Sequence, residues 1–374
     1  MTLAALLTAV SGQAATKADS RLLSCDNDVS GACSPLRHAV ARSLLDRWSR
    51  SGALERAASS NNQSYAHAAP FPHVALDGLF PHRLMHALQL EVPDNMSAAL
   101  APGADPRHAE LPEPRKGWRL TGRPNTVKGG FLKFSLNDER LMKPHVQGVI
   151  AAMKSAPFIS FLERLTGIRP LLVDPSNEGS GIHQIATGGS LKIHSDFNMQ
   201  HQTFHRRVNV LLYLNPAWDA AAWGGHLELW SRDMRRCVQR IAPLSNRMAI
   251  FSTTDFSYHG HADPLRSPHG RSRRSIVLYY YTTHRPMHEV LRNPDGSPMK
   301  HSTLYQRRRC RTCMMANCRA GKAALPLNAT GGEAATRPST EREFRRPSTR
   351  RAAQARADLD RGDLARGDLT RRDL

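Results

Sequence analysis

The chain has 374 residues, six cysteines and a formal charge of +20, from 52 Lys and Arg against 32 Asp and Glu. That length holds a hydrophobic core without disulfide staples, and six sparse cysteines exclude a disulfide framework. No apolar run approaches the ~20 residues of a membrane span, so no membrane partner is expected. The charge is uneven: Lys300 to Leu374 carries 18 Lys and Arg against 8 Asp and Glu, so it describes the end of the chain more than the fold. The early apolar run "LAALLTAV" is short and no positive charge precedes it, which favours a reducing cytoplasmic location over export.

Residues 1–68 are rich in Ala and Ser. They contain one amphipathic pattern in which Leu36, Val40, Leu44, Leu45 and Trp48 recur at helical spacing. We expect a variable N-terminal extension there. The composition changes at "PFPHVALDGLFP", a short strand-like run between prolines, and the helical pattern "HRLMHALQLEV" follows. A Pro- and Gly-rich loop region comes next. Two helical stretches then run from Asp138 to Lys154 and from Ala156 to a stop at Gly167.

From Gly181 to Thr283 the texture is short β runs separated by Gly, Pro, Asn and Asp: "SLKIHSDF", "RVNVLLYLN", "GHLELW", "VQRIAPL", "RMAIFST" and "RRSIVLYYYT". Several short strands at this spacing predict a sandwich or jelly-roll barrel. The fold class is therefore α+β with a β core at about 181–283, inside a domain spanning 69–286. Residues 287–374 read as a basic, low-complexity tail, expected to be disordered, that ends in R-x-D-L repeats. Within it Cys310, Cys313 and Cys318 have a spacing that fits no strong zinc pattern, and free thiols are the default reading.

Two H-x-D patterns occur, at 194–196 and 261–263. The second runs into Pro264, which favours a turn. The first lies in an alternating run, where residues i and i+2 share a face, so His194 and Asp196 project together while Ile193 and Ser195 face away. A 2-His-1-carboxylate metal site needs one more imidazole. His259, just before Gly260, supplies it, with His261 as the rival on parity grounds. Arg273 and Ser275 share a strand face and offer a guanidinium fork and a hydroxyl to one carboxylate. Tyr213 adds a phenol, and Lys192 shares the face of His194 as a rival carboxylate binder. The plain alternatives are a polar strand face for the pair, a core tyrosine, and a basic surface cluster around Arg271, Arg273 and Arg274.

In this order, H-S-D at 194–196, "RRVNVLLYLNPAW", "WGGHLELW", "PLSNRMAIFST", "SYHGHADP" and "RRSIVLYYYT" resemble the Fe(II)/2-oxoglutarate-dependent dioxygenases, in their prolyl 4-hydroxylase-like branch, over roughly Phe71 to Pro286. The resemblance implies a double-stranded β-helix, or jelly roll. It implies His194, Asp196 and His259 as iron ligands, and Arg273, Ser275 and Tyr213 as contacts of 2-oxoglutarate. It implies O2 as cosubstrate, ascorbate as a reductant, and hydroxylation of an unactivated C–H bond coupled to conversion of 2-oxoglutarate to succinate and CO2. The substrate would be a peptidyl-proline or a small molecule. The carboxylate of Asp196 argues for hydroxylation, since a related halogenase would carry a small residue there. Some prolyl hydroxylases have a tyrosine about ten residues before H-x-D, where this chain has Gln184. Two other function classes stand beside this one. One is a nucleic-acid-associated oxygenase using the basic tail, which lacks interleaved aromatics; the other is a non-catalytic barrel serving as a binding module.

Overall fold

The computed structural model describes residues 34–94, 117–121, 129–174, 177–200 and 203–306. The N-terminal 33 residues, the cysteine cluster at Cys310, Cys313 and Cys318, the R-x-D-L repeats and the expected tail beyond Gln306 lie outside them. Among the described residues no helix is long and apolar enough to cross a membrane.

The amphipathic N-terminal pattern forms two helices, α1 (Pro35–Ser51) and α2 (Ala53–Ala66), because Gly52 takes the left-handed conformation (φ 57) and turns the chain between them. A proline in the first turn starts α1, where its missing N–H costs nothing. The apolar face is partnered. Trp48 meets Phe80 at 5.7 Å and Phe158 at 5.6 Å between ring centroids, so the expected extension is part of the main core. Helices α3 (His82–Glu91), α4 (Pro144–Met153) and α5 (Ala156–Thr166) complete this layer. At Gly148 of α4 a Cβ would lie 2.6 Å from the Val40 Cβ and 2.8 Å from the Arg37 carbonyl oxygen, so α1 and α4 approach as closely as they do only over a glycine.

The strands are β1 (His73–Asp77), β2 (Arg119–Thr121), β3 (Gly130–Leu136), β4 (Leu172–Val173), β5 (Gly181–Ser195), β6 (Met199–Gln200), β7 (Phe204–Tyr213), β8 (Leu227–Trp230), β9 (Cys237–Ile241), β10 (Arg247–Ser252), β11 (His259–His261), β12 (Arg273–Thr282) and β13 (Leu304–Tyr305). A four-residue helix, α6 (Ala220–Trp223), precedes β8. Pairing is antiparallel throughout, in the order β1-β10-β7-β12-β5-β11-β8-β9, with β3 also on β5 and β2 on β3. The result is a nearly closed jelly-roll barrel. The 15-residue β5 belongs to both of its walls: residues 181–185 pair with β12, whereas His194 and Leu191 pair with β11. Gly188, at φ 80, lies in the bend between the two halves.

Alternation sorts the strand residues. Val208, Val210, Leu212, Ile276, Leu278 and Tyr280 face the helices and share one core with α1 to α5, while Asn209, Leu211, Arg273, Ser275, Val277 and Tyr279 line the barrel lumen. Because both faces are covered, every residue of β12 is buried.

The expected boundary at Pro286 is placed too early. Residues 287–306 return along the barrel: Asn198 donates to the Met299 carbonyl, the Leu291 amide donates to Asp255, and β13 pairs with the end of β5. This segment lacks the apolar alternation that marks the other strands, and its pairing is fixed by polar contacts to Asn198 and Asp255 that composition does not reveal.

Candidate active site

The second half of β5 delivers His194, Asp196 follows immediately, and β11 sets His259 directly opposite His194. Ile193 turns the other way, into a cluster with Trp230 and Met234, as the two-residue period requires. The Nε2 atoms of His194 and His259 lie 3.5 and 3.4 Å from the two Asp196 carboxylate oxygens. One ligand atom from each of the three side chains falls within 4.8 Å of the others. His261, the rival, pairs with Leu191 beyond a register shift and is not in this group.

The outer contacts set the imidazole tautomers. Nδ1 of His194 lies 2.8 Å from the Lys192 carbonyl, and Nδ1 of His259 lies 2.8 Å from the Ser257 carbonyl. A carbonyl only accepts, so each Nδ1 carries the proton and each Nε2 presents a lone pair to the centre. Burial pushes the His259 imidazole down to about 4 against the pull of Asp196, so it is neutral at ordinary pH. Burial opposes the charge on Asp196, but the neighbouring Arg206 guanidinium holds its carboxyl well below the usual range. Two buried imidazole nitrogens and one carboxylate on one side of a cavity form a donor set suited to Fe(II), leaving the remaining positions open.

Two holders of Asp196 carry no motif in the sequence. Asn209 donates to Oδ2 at 2.8 Å, and Nη2 of Arg206 lies 3.1 Å from the same oxygen. Arg206 is itself fixed by stacking 3.2 Å from the Tyr279 ring centroid and 4.8 Å from that of Phe197. Asn209 shares the lumenal parity of Leu211 on β7, whereas Arg206, three residues away, reaches the lumen only past the register shift between β7 and β12, which no sequence pattern marks.

The cavity beside the triad encloses about 830 Å³, including its open mouth. Arg273 and Ser275 line it. Nε of Arg273 donates to the Gly225 carbonyl at 2.7 Å and Nη2 donates to the Tyr213 hydroxyl at 3.1 Å, which leaves Nη1 without a hydrogen bond among the described residues. Tyr213 is fully buried and absent from the lining; its contact is with the arginine. Lys192 is exposed. Gln184 points out of the lumen, donating to the Pro93 carbonyl and to Ser272, so His183 and Ile185 occupy the cavity wall at that level. Lys133 of β3 and Thr303 and Tyr305 of the returning segment also line the cavity, and the Tyr305 ring sits 5.6 Å from that of His194.

Residues 180–281 match the sequence model of the 2OG-Fe(II) oxygenase superfamily. Among solved structures, a prolyl hydroxylase from Trichoplax adhaerens, in complex with a hypoxia inducible factor oxygen degradation domain peptide fragment, is similar at 18% identity. That match covers 62% of this chain and 92% of the other, with a TM-score of 0.40. A Pseudomonas putida prolyl-4-hydroxylase is similar at 16% identity, covering 61% and 100%, with a TM-score of 0.36. HygX from Streptomyces hygroscopicus, with nickel, 2-oxoglutarate and hygromycin B bound, is similar at 10% identity, covering 62% and 93%, also with a TM-score of 0.36. No curated protein matches the sequence.

The matched segment runs from β5 to β12 and contains the triad, Arg273 and Ser275; it is a 2OG-Fe(II) oxygenase domain. The protein is accordingly a dioxygenase whose cofactors are Fe(II) and 2-oxoglutarate.

Proposed function

We propose that the protein is a hydroxylase of the prolyl 4-hydroxylase-like type, in which His194, Asp196 and His259 hold Fe(II) and Arg273 with Ser275 holds the distal carboxylate of 2-oxoglutarate. One observation carries the reading: two Nε2 lone pairs and a carboxylate converge on a cavity that a buried arginine, Arg273, also lines. When bound, iron and 2-oxoglutarate supply the oxidant for an unactivated C–H bond, with one atom of O2 ending in succinate and the other in the new hydroxyl.

The chain's own residues orient and shield. Asn209 and Arg206 fix the carboxylate of Asp196, and the Lys192 and Ser257 carbonyls fix the imidazoles. Leu211, Val277 and Phe251 wall the cavity with apolar surface that limits water. Tyr213 holds Arg273 in place. A prolyl residue or a proline-like small molecule is the substrate this reading favours, with ascorbate as reductant.

The test is succinate formation from 2-oxoglutarate with Fe(II) and ascorbate, wild type beside Asp196→Ala. Succinate from the wild type alone is expected. Equal succinate from both proteins would remove Asp196 from the metal site.

A further inference from the structure

Strand β3 places a cation in the cavity to which the reaction just described assigns no role. Lys133, Ile185 and Arg273 form one row across β3, β5 and β12, since Ile185 pairs with both Lys133 and Arg273. The outer two members stand two strands apart, roughly 10 Å between backbones, and all three line the lumen. Arg273 is held from behind by Gly225 and Tyr213, and Arg206 is committed to Asp196. Lys133 has no hydrogen bond or ion pair to any described residue. A cation left without a direct hydrogen bond or ion pair in a partly buried cavity is costly unless a ligand supplies one.

The backbone around it is unusual in a way that bears on its aim. Leu132, a γ-branched residue, takes φ 48, and the β3–β5 register breaks there: Phe131 faces Ser190, Lys133 faces Ile185, and Ala186 to Gly189 loop out opposite Leu132. Bulges beside active sites re-aim side chains. Here Leu132 and Phe134 pack into a small cluster with Ala186, while Lys133 is turned to the cavity. Burial pushes the ammonium down to about 8 and Asp196 resists that shift, so it carries its charge at neutral pH and lies within electrostatic reach of the metal ligands.

Resting on the hydroxylase reading above, we infer that Lys133 is the anchor for a second carboxylate, carried by the molecule to be hydroxylated, so that the substrate class is a carboxylate-bearing one. The distal carboxylate of 2-oxoglutarate is already matched by Arg273 and Ser275 on the other side of Ile185. The same ammonium would also suit the other carboxylate of the cosubstrate, and binding measurements separate the two sources.

The full chain, loaded with Mn(II) in place of iron, is titrated calorimetrically with 2-oxoglutarate. The saturated complex is then titrated with N-acetyl-L-proline and with N-acetyl-L-prolinamide, which carry no competing amine. Wild type, Lys133→Gln and Lys133→Arg are compared, with thermal melts to confirm folding. The expected result is unchanged 2-oxoglutarate affinity in all three, a preference of at least about tenfold for the acid over the amide in wild type and Lys133→Arg, and loss of that preference in Lys133→Gln. A tenfold weakening of 2-oxoglutarate itself in Lys133→Gln would assign the lysine to the cosubstrate and overturn the substrate assignment. Indistinguishable titrations of wild type and Lys133→Gln with all three probes would overturn the anchor altogether while leaving the hydroxylase reading intact. A wild type that binds no 2-oxoglutarate would remove both.

Discussion

His259 and His261 are two residues apart, both buried, and chemically identical, yet only one faces Asp196. Pairing with His194 puts the His259 Nε2 3.4 Å from the carboxylate, whereas both ring nitrogens of His261 have no hydrogen-bond partner among the described residues. His259→Ala is therefore expected to abolish high-affinity metal binding and turnover, and His261→Ala to retain metal binding within a few fold; a metal titration of the two variants decides between them. On the proposed reading, Arg273→Ala leaves the distal carboxylate of 2-oxoglutarate unpaired. It is expected to weaken 2-oxoglutarate by roughly 2–5 kcal/mol, about 30-fold or more. Tyr213→Phe removes one acceptor of the charged Arg273, at about 1.5–3 kcal/mol, so calorimetry should report a loss smaller than that of Arg273→Ala. A larger effect for Tyr213→Phe than for Arg273→Ala would contradict the assignment of the phenol as a support for the guanidinium.

Elements explain why some of this site could be read from sequence and some could not. His194 and Asp196, and likewise Arg273 and Ser275, stand two residues apart in locally extended runs, so parity puts the members of each pair on one face. Asn209 obeys the alternation of β7 and Arg206 reaches the lumen only past a register shift, and nothing in either residue type announces contact with Asp196. Strand β3 was hidden in a stretch read as a Pro- and Gly-rich loop, because the positive φ at Leu132 breaks its two-residue period; Lys133 was hidden with it, and the exposed Lys192 stood in its place. Gly260 stands between the two histidines of β11. In the structure a Cβ there would lie 2.8 Å from the Leu191 and Lys192 carbonyl oxygens, so the close neighbour is the β5 backbone. Gly260→Ala should lower stability by about 1–3 kcal/mol and weaken metal binding with it, whereas Gly148→Ala should lower the melting temperature and leave metal binding unchanged. Equal metal affinities in wild type and Gly260→Ala would show that β11 does not need that approach.

The returning segment 287–306 has its own titratable latch. Asp255 is buried between His301 at 3.1 Å and Nη1 of Arg285 at 3.0 Å. Burial works against the His301 charge, but the Asp255 carboxylate outweighs it and the imidazole pKa is raised above 6.5. A raised folded-state pKa means that this contribution is complete below the unfolded value and is lost as pH rises through the folded one. The depressed Asp255 pKa places its own loss at acid pH. Hydrogen exchange of residues 299–306, corrected for intrinsic rates, should accelerate from pH 6 to pH 8 in the wild type and lose that dependence in His301→Gln. Persistence of the dependence in His301→Gln would place the latch elsewhere.

On the scale of the whole molecule, the helices of residues 35–66, the barrel and the returning segment form one folded arrangement around the cavity. The jelly-roll core was legible because six strand runs keep their alternation between turn residues; the outer limits of the folded region were not, because α1, α2 and residues 287–306 are held by contacts made far away in sequence, such as Trp48 on Phe158 and β13 on β5. Truncation after Gln306 retains every described element and should preserve the melting temperature and 2-oxoglutarate binding. Truncation after Met299 removes His301, Thr303 and Tyr305 from the cavity wall and its latch, and should impair both. The most direct test of the central claim is anaerobic, Fe(II)-dependent binding of 2-oxoglutarate to the full chain, followed by calorimetry for wild type, Asp196→Ala and Arg273→Ala. The account predicts saturable binding to the wild type only when iron is present, with both variants losing it by different routes, the first through the metal and the second through the carboxylate. Binding to the wild type that ignores iron, or binding to Asp196→Ala at wild-type affinity, would contradict it.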